Sequence, residues 1–370
     1  MQEERKQILT MLQEGKISTE EAEELLDALA YASDVKEEEG QEGKSAELSK
    51  KVDWDARQDH KAYNSGSTKQ RFKSLVGEAF KKIKNVDLDF NFGSYQSVHH
   101  IFQHQGVTFT NVYIDVANGN VMMKPWKEQD MRLECQAKVY QVNNQDEARE
   151  RFMDMKNFIV SDDVLKFEVK SKKVKTDVTL WVPEKAYEDV SLRVFNGKIE
   201  AEGLPIHDLN VKTSNGDIKL HKMEGHEWEL STSNGSITAE QVKCDDLETE
   251  MMNGSVKLAG DFGKVDSQVI NGNIKCNWQG DRGHTGFFKT TTGNVDLIVP
   301  KSLRLNGKMF TNLGSLHCHL PDFKTISEQK ETLKKELKFE TNPNLDHILH
   351  VEAETKTGSV KIQGDEGGSL

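Results

Sequence analysis

Proline, cysteine and long apolar runs are scarce in this sequence, and each shortage closes off a class of protein. With only 6 prolines in 370 residues, the chain is neither collagen-like nor a proline-rich low-complexity segment. The 4 cysteines (Cys135, Cys244, Cys276 and Cys318) lie far apart with no C-x-x-C pair, so no disulfide framework or zinc ribbon is encoded. No stretch approaches the roughly 18 apolar residues of a membrane-spanning helix. The start, MQEERKQILTMLQEGK, is charged and amphipathic where a secretory signal would carry an apolar core. A reduced, cytoplasmic compartment is therefore the expectation.

Charge is plentiful but uneven. The chain carries a net charge of -12, yet residues 1–50 hold 6 Lys/Arg against 14 Asp/Glu, a balance of -8. The remainder is near neutral. A chain of this sign is not built for nucleic acid, and none is expected as a partner.

Within residues 1–32, Ile8, Leu9, Leu12 and then Leu25, Leu26, Leu29 recur at helical spacing, with Gly15 between the two runs. Ser18-Thr-Glu-Glu21 forms a capping box at the second start, because a Ser hydroxyl and a Glu three residues on satisfy each other's amides. A two-helix hairpin of about 30 residues cannot bury enough surface to stand alone. These six apolar residues are thus the candidate docking face, for a partner, a second copy or the main domain. Residues 33–66 form an acidic, polar linker whose composition predicts disorder. In residues 67–85, Phe72, Leu75 and Phe80 lie on one apolar helical stripe flanked by Lys81, Lys82 and Lys84. That pattern fits an in-plane helix on an anionic membrane or partner surface, and equally a cap over the open end of the following β domain.

The long remainder, residues 86–365, repeats. Asn-Gly corners recur at Asn196-Gly197, Asn215-Gly216, Asn234-Gly235, Asn253-Gly254 and Asn271-Gly272, with further copies of the glycine at Gly119, Gly293, Gly314 and Gly358. From Gly197 onwards the gaps are 19, 19, 19, 18, 21, 21 and 44 residues, the last about two ordinary repeats. A lone Asn-Gly between alternating runs signals a hairpin. Here the residues two and four after each glycine are apolar, as in Ile218/Leu220 and Val295/Leu297, and so are Val211 or Leu230 before it, with Thr213 or Thr232. The step across the glycine is odd, so a straight strand would change faces. A bend must restore the inward direction, and Asn and Gly both tolerate positive φ. The fold class is mainly β: a β-solenoid of about 19–21-residue coils. A series of antiparallel hairpins is the alternative. Stacking would align the corner asparagines into an amide ladder. Residues 366–370 form a C-terminal tail.

Catalytic and metal signals are weak. Gly43-Lys-Ser lacks the first P-loop glycine, since Glu38 holds that place. There is no H-E-x-x-H and no G-x-S-x-G. Parity puts Cys318 inward and His317 and His319 outward, so the three cannot share one zinc. His99, His100 and His104 lack the rest of a metal shell. The outward column three residues after the glycine (Glu200, Lys219, Thr238, Lys257, Lys275, Asp296, His317, Lys361) holds no carboxylate cluster. No catalytic residue, cofactor site or metal site is assigned.

The ILTMLQEGKISTEEAEELLDAL segment, VDLDFNFG at Val86–Gly93, the N-G-x-[IV] corners, and the V-x-L-x-V-P endings at Val178–Pro183 and Val295–Pro300 together resemble the YvlB/LiaX-type bacterial family. That family couples a SHOCT-like helical hairpin to a β-solenoid of unknown function and carries the label "adhesin". The resemblance implies a non-enzymatic role in the Gram-positive cell-envelope stress response, with a PspC-like membrane protein as partner. The expectation is a cytoplasmic scaffold whose hairpin docks that partner or a second copy and whose basic segment around Lys81–Lys84 reaches the inner membrane face. An exported adhesin or antimicrobial-peptide-binding protein is one alternative. A carbohydrate-active β-helix enzyme, which needs a carboxylate pair on an outer face, is another.

Overall fold

The computed structural model describes residues 94–331 and 334–365. The hairpin, the linker, the basic segment, VDLDFNFG and the C-terminal tail lie outside the described residues. So do the docking residues Ile8 to Leu29 and the surface residues Phe72 to Lys84.

The described chain opens with β1 (Tyr95–His104), β2 (Asn111–Asn118), β3 (Val121–Trp126) and β4 (Met131–Tyr140). Helix α1 (Gln145–Met155) follows, then β5 (Lys156–Val160), β6 (Val164–Val169) and β7 (Val174–Pro183). Regular coils begin with β8 (Tyr187–Asn196), β9 (Ile199–Glu202), β10 (Ile206–Asn215) and β11 (Ile218–His221). One unbroken extended run, β12 (Glu224–Gln279), then carries the corners at Gly235, Gly254 and Gly272. Next come β13 (Thr285–Thr292), β14 (Val295–Val299), β15 (Arg304–Leu313) and β16 (Leu316–His319). The chain finishes with β17 (Lys324–Glu331), β18 (Lys334–Glu340), β19 (Ile348–Thr357) and β20 (Val360–Gly364).

Successive coils pair in parallel, and the pairing keeps the corner in register. Val211 of β10 lies between Leu192 of β8 and Leu230 of β12, and Asn215 lies between Asn196 and Asn234. Each coil has a long strand before the glycine and a short one after it. Ile218 of β11 likewise stands between Ile199 and Ile237 in the short-strand column. This is a solenoid, as the repeat implies, and among the described residues antiparallel pairs occur only towards its ends.

The two columns face one another across a single core. Ile199, Ile218, Ile237, Ile274, Val295 and Val360 are fully buried, and so are Val211, Leu230 and Met309 on the other side of the bend. Burial of one such aliphatic side chain contributes about 1.5–3 kcal/mol, repeated coil after coil.

Two devices hold the corner. The corner glycines other than Gly314 adopt φ from +128 at Gly119 to +156 at Gly216, a region L side chains avoid. Each is also pressed against its neighbour: a Cβ on Gly216 would stand 2.0 Å from the Gly197 carbonyl oxygen. The asparagines form the ladder. Asn196 Nδ2 donates to Asn118 Oδ1, Asn215 to Asn196, Asn234 to Asn215, Asn253 to Asn234 and Asn271 to Asn253, all at 2.8–3.0 Å. Where a threonine stands three residues before the glycine, its hydroxyl bonds the glycine carbonyl one coil away, as Thr213 does to Gly197 at 3.0 Å and Thr355 to Gly293 at 2.9 Å.

Order in the stack departs from order in the sequence at both ends. The 44-residue gap before Gly358 is not two further coils. Its strands β17 and β18 form an antiparallel hairpin on β15, after which the chain returns. The Gly358 coil then inserts between those of Gly293 and Gly314: β19 pairs with both β13 and β15, and β20 with both β14 and β16. At the other end the Gly119 coil lies between the β8–β9 coil and the strands β6 and β7. In each case the chain leaves the stack, builds an end, and comes back. Spacing along the sequence cannot distinguish that from continued coiling.

Helix α1 belongs to the first end and stands outside the repeat pattern. Asn144 caps it by accepting the Glu147 amide at 2.9 Å, and Ala148 and Phe152 bury its inner face.

Candidate interaction surfaces

The flanks of the stack are closed by ion pairs. Lys308 Nζ reaches Glu352 at 2.6 Å and Glu354 at 3.8 Å, Lys289 reaches Glu354 at 3.5 Å, and Lys257 reaches Glu240 at 2.5 Å. Burial would push the Glu352 carboxyl up, but the Lys308 bond and charge, with help from Glu354 and Lys289, bring it below its ordinary range. Partners of this kind fix side chains more than they stabilise the fold.

Chemistry on cysteine is disfavoured. Burial pushes the thiols of Cys135, Cys244 and Cys276 up, and that of Cys318 up to about 12. A thiolate is the nucleophile and the metal ligand. His317 and His319 are exposed on either side of half-buried Cys318 in β16. Their rings stack at 6.3 Å on the outer face, so the three do not converge.

The two ends differ. At the second end, among the described residues, β16 pairs only with β20, which leaves Leu316 and Cys318 half-buried and Leu313 exposed. In the other column β17 forms the last strand, and all eight of its side chains are exposed. Its KTISEQKE sequence, with charges spread along it, suits an edge protected against further pairing.

Lysine dominates the first end. The terminal turn between β6 and β7 carries Lys170, Lys172 and Lys173, all exposed, and β7 continues with exposed Lys175. Lys138 of β4 stands directly opposite Lys175, a like-charge pair that costs stability. Aromatic faces take up part of this charge: Lys138 Nζ sits 4.9 Å from the Tyr95 ring, Lys172 5.1 Å from Phe195 and Lys156 5.7 Å from Phe102. Glu168 neutralises Lys170 at 2.9 Å and Lys166 at 3.2 Å. Bonds from Asn157, Lys170 and Lys166 hold its carboxyl down to about 2, against the effect of burial. His100, on β1, is kept below its usual pKa by burial and by the charges of Lys156 and Arg149. The described chain begins at this end, where the Gln141 amide donates to the Ser94 carbonyl at 3.2 Å.

A third surface was not singled out from the sequence. At the outer corner where β10 starts, His207, Asp208 and the next coil's His226 come together. Their separation in sequence hides them, since each histidine taken singly is an ordinary surface residue. The 19-residue period that relates the apolar positions also relates His207 to His226.

Residues 109–363 match the family described as Toastrack DUF4097, and residues 3–30 match a SHOCT-like domain. The chain is 42% identical over 371 residues to the uncharacterized protein YvlB of Bacillus subtilis strain 168, covering 98% of this chain and 99% of that one. Among solved structures, an adhesin-designated protein from Bacteroides fragilis NCTC 9343 aligns over 74% of this chain and 98% of its own, at 12% identity and TM-score 0.35. Another, from Parabacteroides distasonis ATCC 8503, aligns over 72% and 97%, at 12% identity and TM-score 0.36. None of these relatives is named as an enzyme. With its match over residues 109–363 and its full-length likeness to YvlB, this chain belongs to the Toastrack DUF4097 family.

Proposed function

We propose that this protein is a non-enzymatic scaffold of the bacterial cell-envelope stress response, working at the inner face of the membrane. The lysine-rich first end supports this reading most directly. Lys138, Lys170, Lys172, Lys173 and Lys175 gather there, and Lys138 stands face to face with Lys175, an arrangement that an anionic surface relieves. Each basic residue held near anionic lipid contributes about 1 kcal/mol. The rigid stack behind it, with its ion-paired flanks, presents a fixed surface. The hairpin of residues 2–30 docks a PspC-like membrane protein or a second copy, and the acidic linker gives it reach.

Fractionation with a crosslinked pull-down tests both halves. The full chain is compared with a chain lacking residues 1–32 and with a K170E/K172E/K173E/K175E variant. The charge reversal is expected to move the protein to the soluble fraction. The deletion is expected to lose the partner while keeping membrane contact. Unchanged fractionation of the first, together with unchanged capture by the second, overturns the scaffold reading.

A further inference from the structure

The geometry points to a divalent transition-metal site at the outer corner of the solenoid, made by His207, Asp208 and His226. Nothing in the scaffold reading requires it, and it stands on separate observations.

Adjacent residues of a strand normally face opposite sides. In β10, however, Ile206 and Leu209 are buried while His207 and Asp208 between them are both exposed. The chain turns its outer corner at this point, so an imidazole and a carboxylate project together. Their contact is close: His207 Nδ1 is 2.7 Å from Asp208 Oδ1. The parallel register then supplies the third group. Asp208 pairs with Glu227, which sets His207 beside His226 one coil on. The two rings lie stacked, with centroids 4.8 Å apart and planes 6° from parallel. Ligand atoms of all three residues fall within 4.8 Å of one another.

Two imidazoles and one carboxylate suit Zn²⁺ and its neighbours Co²⁺, Ni²⁺ and Cu²⁺, whereas Mg²⁺ and Ca²⁺ favour oxygen alone. Zinc bonds of about 2.0–2.2 Å bring tetrahedral ligand atoms to roughly 3.3 Å from one another. The His207–Asp208 pair is already inside that distance. His226 needs only a side-chain rotation, which costs little at an exposed position. Water completes the shell from the open side. Around the site, Glu227 and the preceding coil's Asp189, register partners of Asp208, add negative charge. Asp245 Oδ2, 3.7 Å from His226 Nε2 and so beyond hydrogen-bond reach, adds to that charge. Asp245 itself is engaged by Arg282, and Asp246 by Lys264 at 2.6 Å, so these two hold the surroundings and not the ion.

Calorimetric titration of the full chelator-treated chain with Zn²⁺ tests the assignment. One equivalent is expected to bind, with affinity at least tenfold weaker in H207A and in H226A and unchanged in the H317A/H319A control. Mg²⁺ is expected not to compete. Zn²⁺ should also raise the melting temperature of the wild type and not of the double variant H207A/H226A. All variants should melt like the wild type without metal, since the substituted side chains are exposed. Absence of binding at millimolar Zn²⁺, or affinity retained in H207A/H226A, overturns the proposal.

Discussion

Gly235 lies so close to Gly216 of the preceding coil that a Cβ on it would stand 2.2 Å from the Gly216 carbonyl oxygen. Its φ of +146 independently excludes an ordinary side chain. Any substitution must therefore break the corner twice over, by backbone strain and by collision with a backbone atom that cannot move without shifting a coil. Gly235→Ala is expected to destabilise the solenoid by about 3–5 kcal/mol, at the upper end of single-residue effects. Gly106 is the control: its φ is +67, but a Cβ there would meet no atom within 4 Å. Gly106→Ala should cost about 1 kcal/mol, the strain alone. Urea unfolding midpoints of the two variants measure the difference; equal midpoints would show that close packing of the glycine column is not what specifies the corner.

The asparagine ladder predicts that position within it matters. Asn234 both donates to Asn215 and accepts from Asn253, whereas Asn271 only donates, to Asn253. Beyond it the register reaches Thr292, which cannot continue the amide chain. At about 0.5–1.5 kcal/mol per bond, Asn234→Ala should cost about twice as much as Asn271→Ala. Equal losses in thermal unfolding would mean that the ladder contributes through the turn conformation and not through its amide bonds.

These corners are also where the fold was most legible. Residues two and four after the glycine and three and five before it are governed by local geometry, so Ile218, Leu220, Val211 and Thr213 could be placed inward from parity alone. Stacking order could not, because parallel register is the same whichever coil is the neighbour. Nothing in the Gly358 sequence distinguishes packing beside Gly314 alone from insertion between Gly293 and Gly314. Helix α1 carries plain signals in its Asn144 cap and acidic first turn, yet the period-2 pattern on both sides of it hides a single interruption. The lysine end was equally hidden: Lys138 and Lys175 are 37 positions apart and meet only because β4 returns antiparallel to β7.

Thiol labelling should single out one cysteine. Cys135, Cys244 and Cys276 are buried along the stack, while Cys318 is half-buried on the edge strand β16 with its thiol pushed up to about 12. In the native protein a thiol-specific reagent should modify Cys318 first, slowly, and faster as pH rises because only the thiolate reacts. All four should react at once in denaturant. Mass spectrometry of the labelled peptides checks the order; early modification of Cys276 would mean that the stack opens in its middle before its end.

Acid stability should report the Glu168 cluster. Its carboxyl is held down to about 2 by Asn157, Lys170 and Lys166, whereas an unfolded glutamate titrates near 4.3. A depressed folded-state value means that the stabilisation is complete above the unfolded value and is lost as pH falls from there towards about 2. Solvent screening limits the gain to about 1 kcal/mol, less than the shift alone would suggest. Glu168→Gln should therefore lower the urea midpoint at pH 6 and converge on the wild type at pH 2. It should also leave Lys166 and Lys170 without their counter-charge and strengthen binding to anionic vesicles at the lysine end. Parallel midpoint curves from pH 6 to pH 2 would remove the cluster from the stability of the first end, and unchanged vesicle binding would separate that end from the membrane.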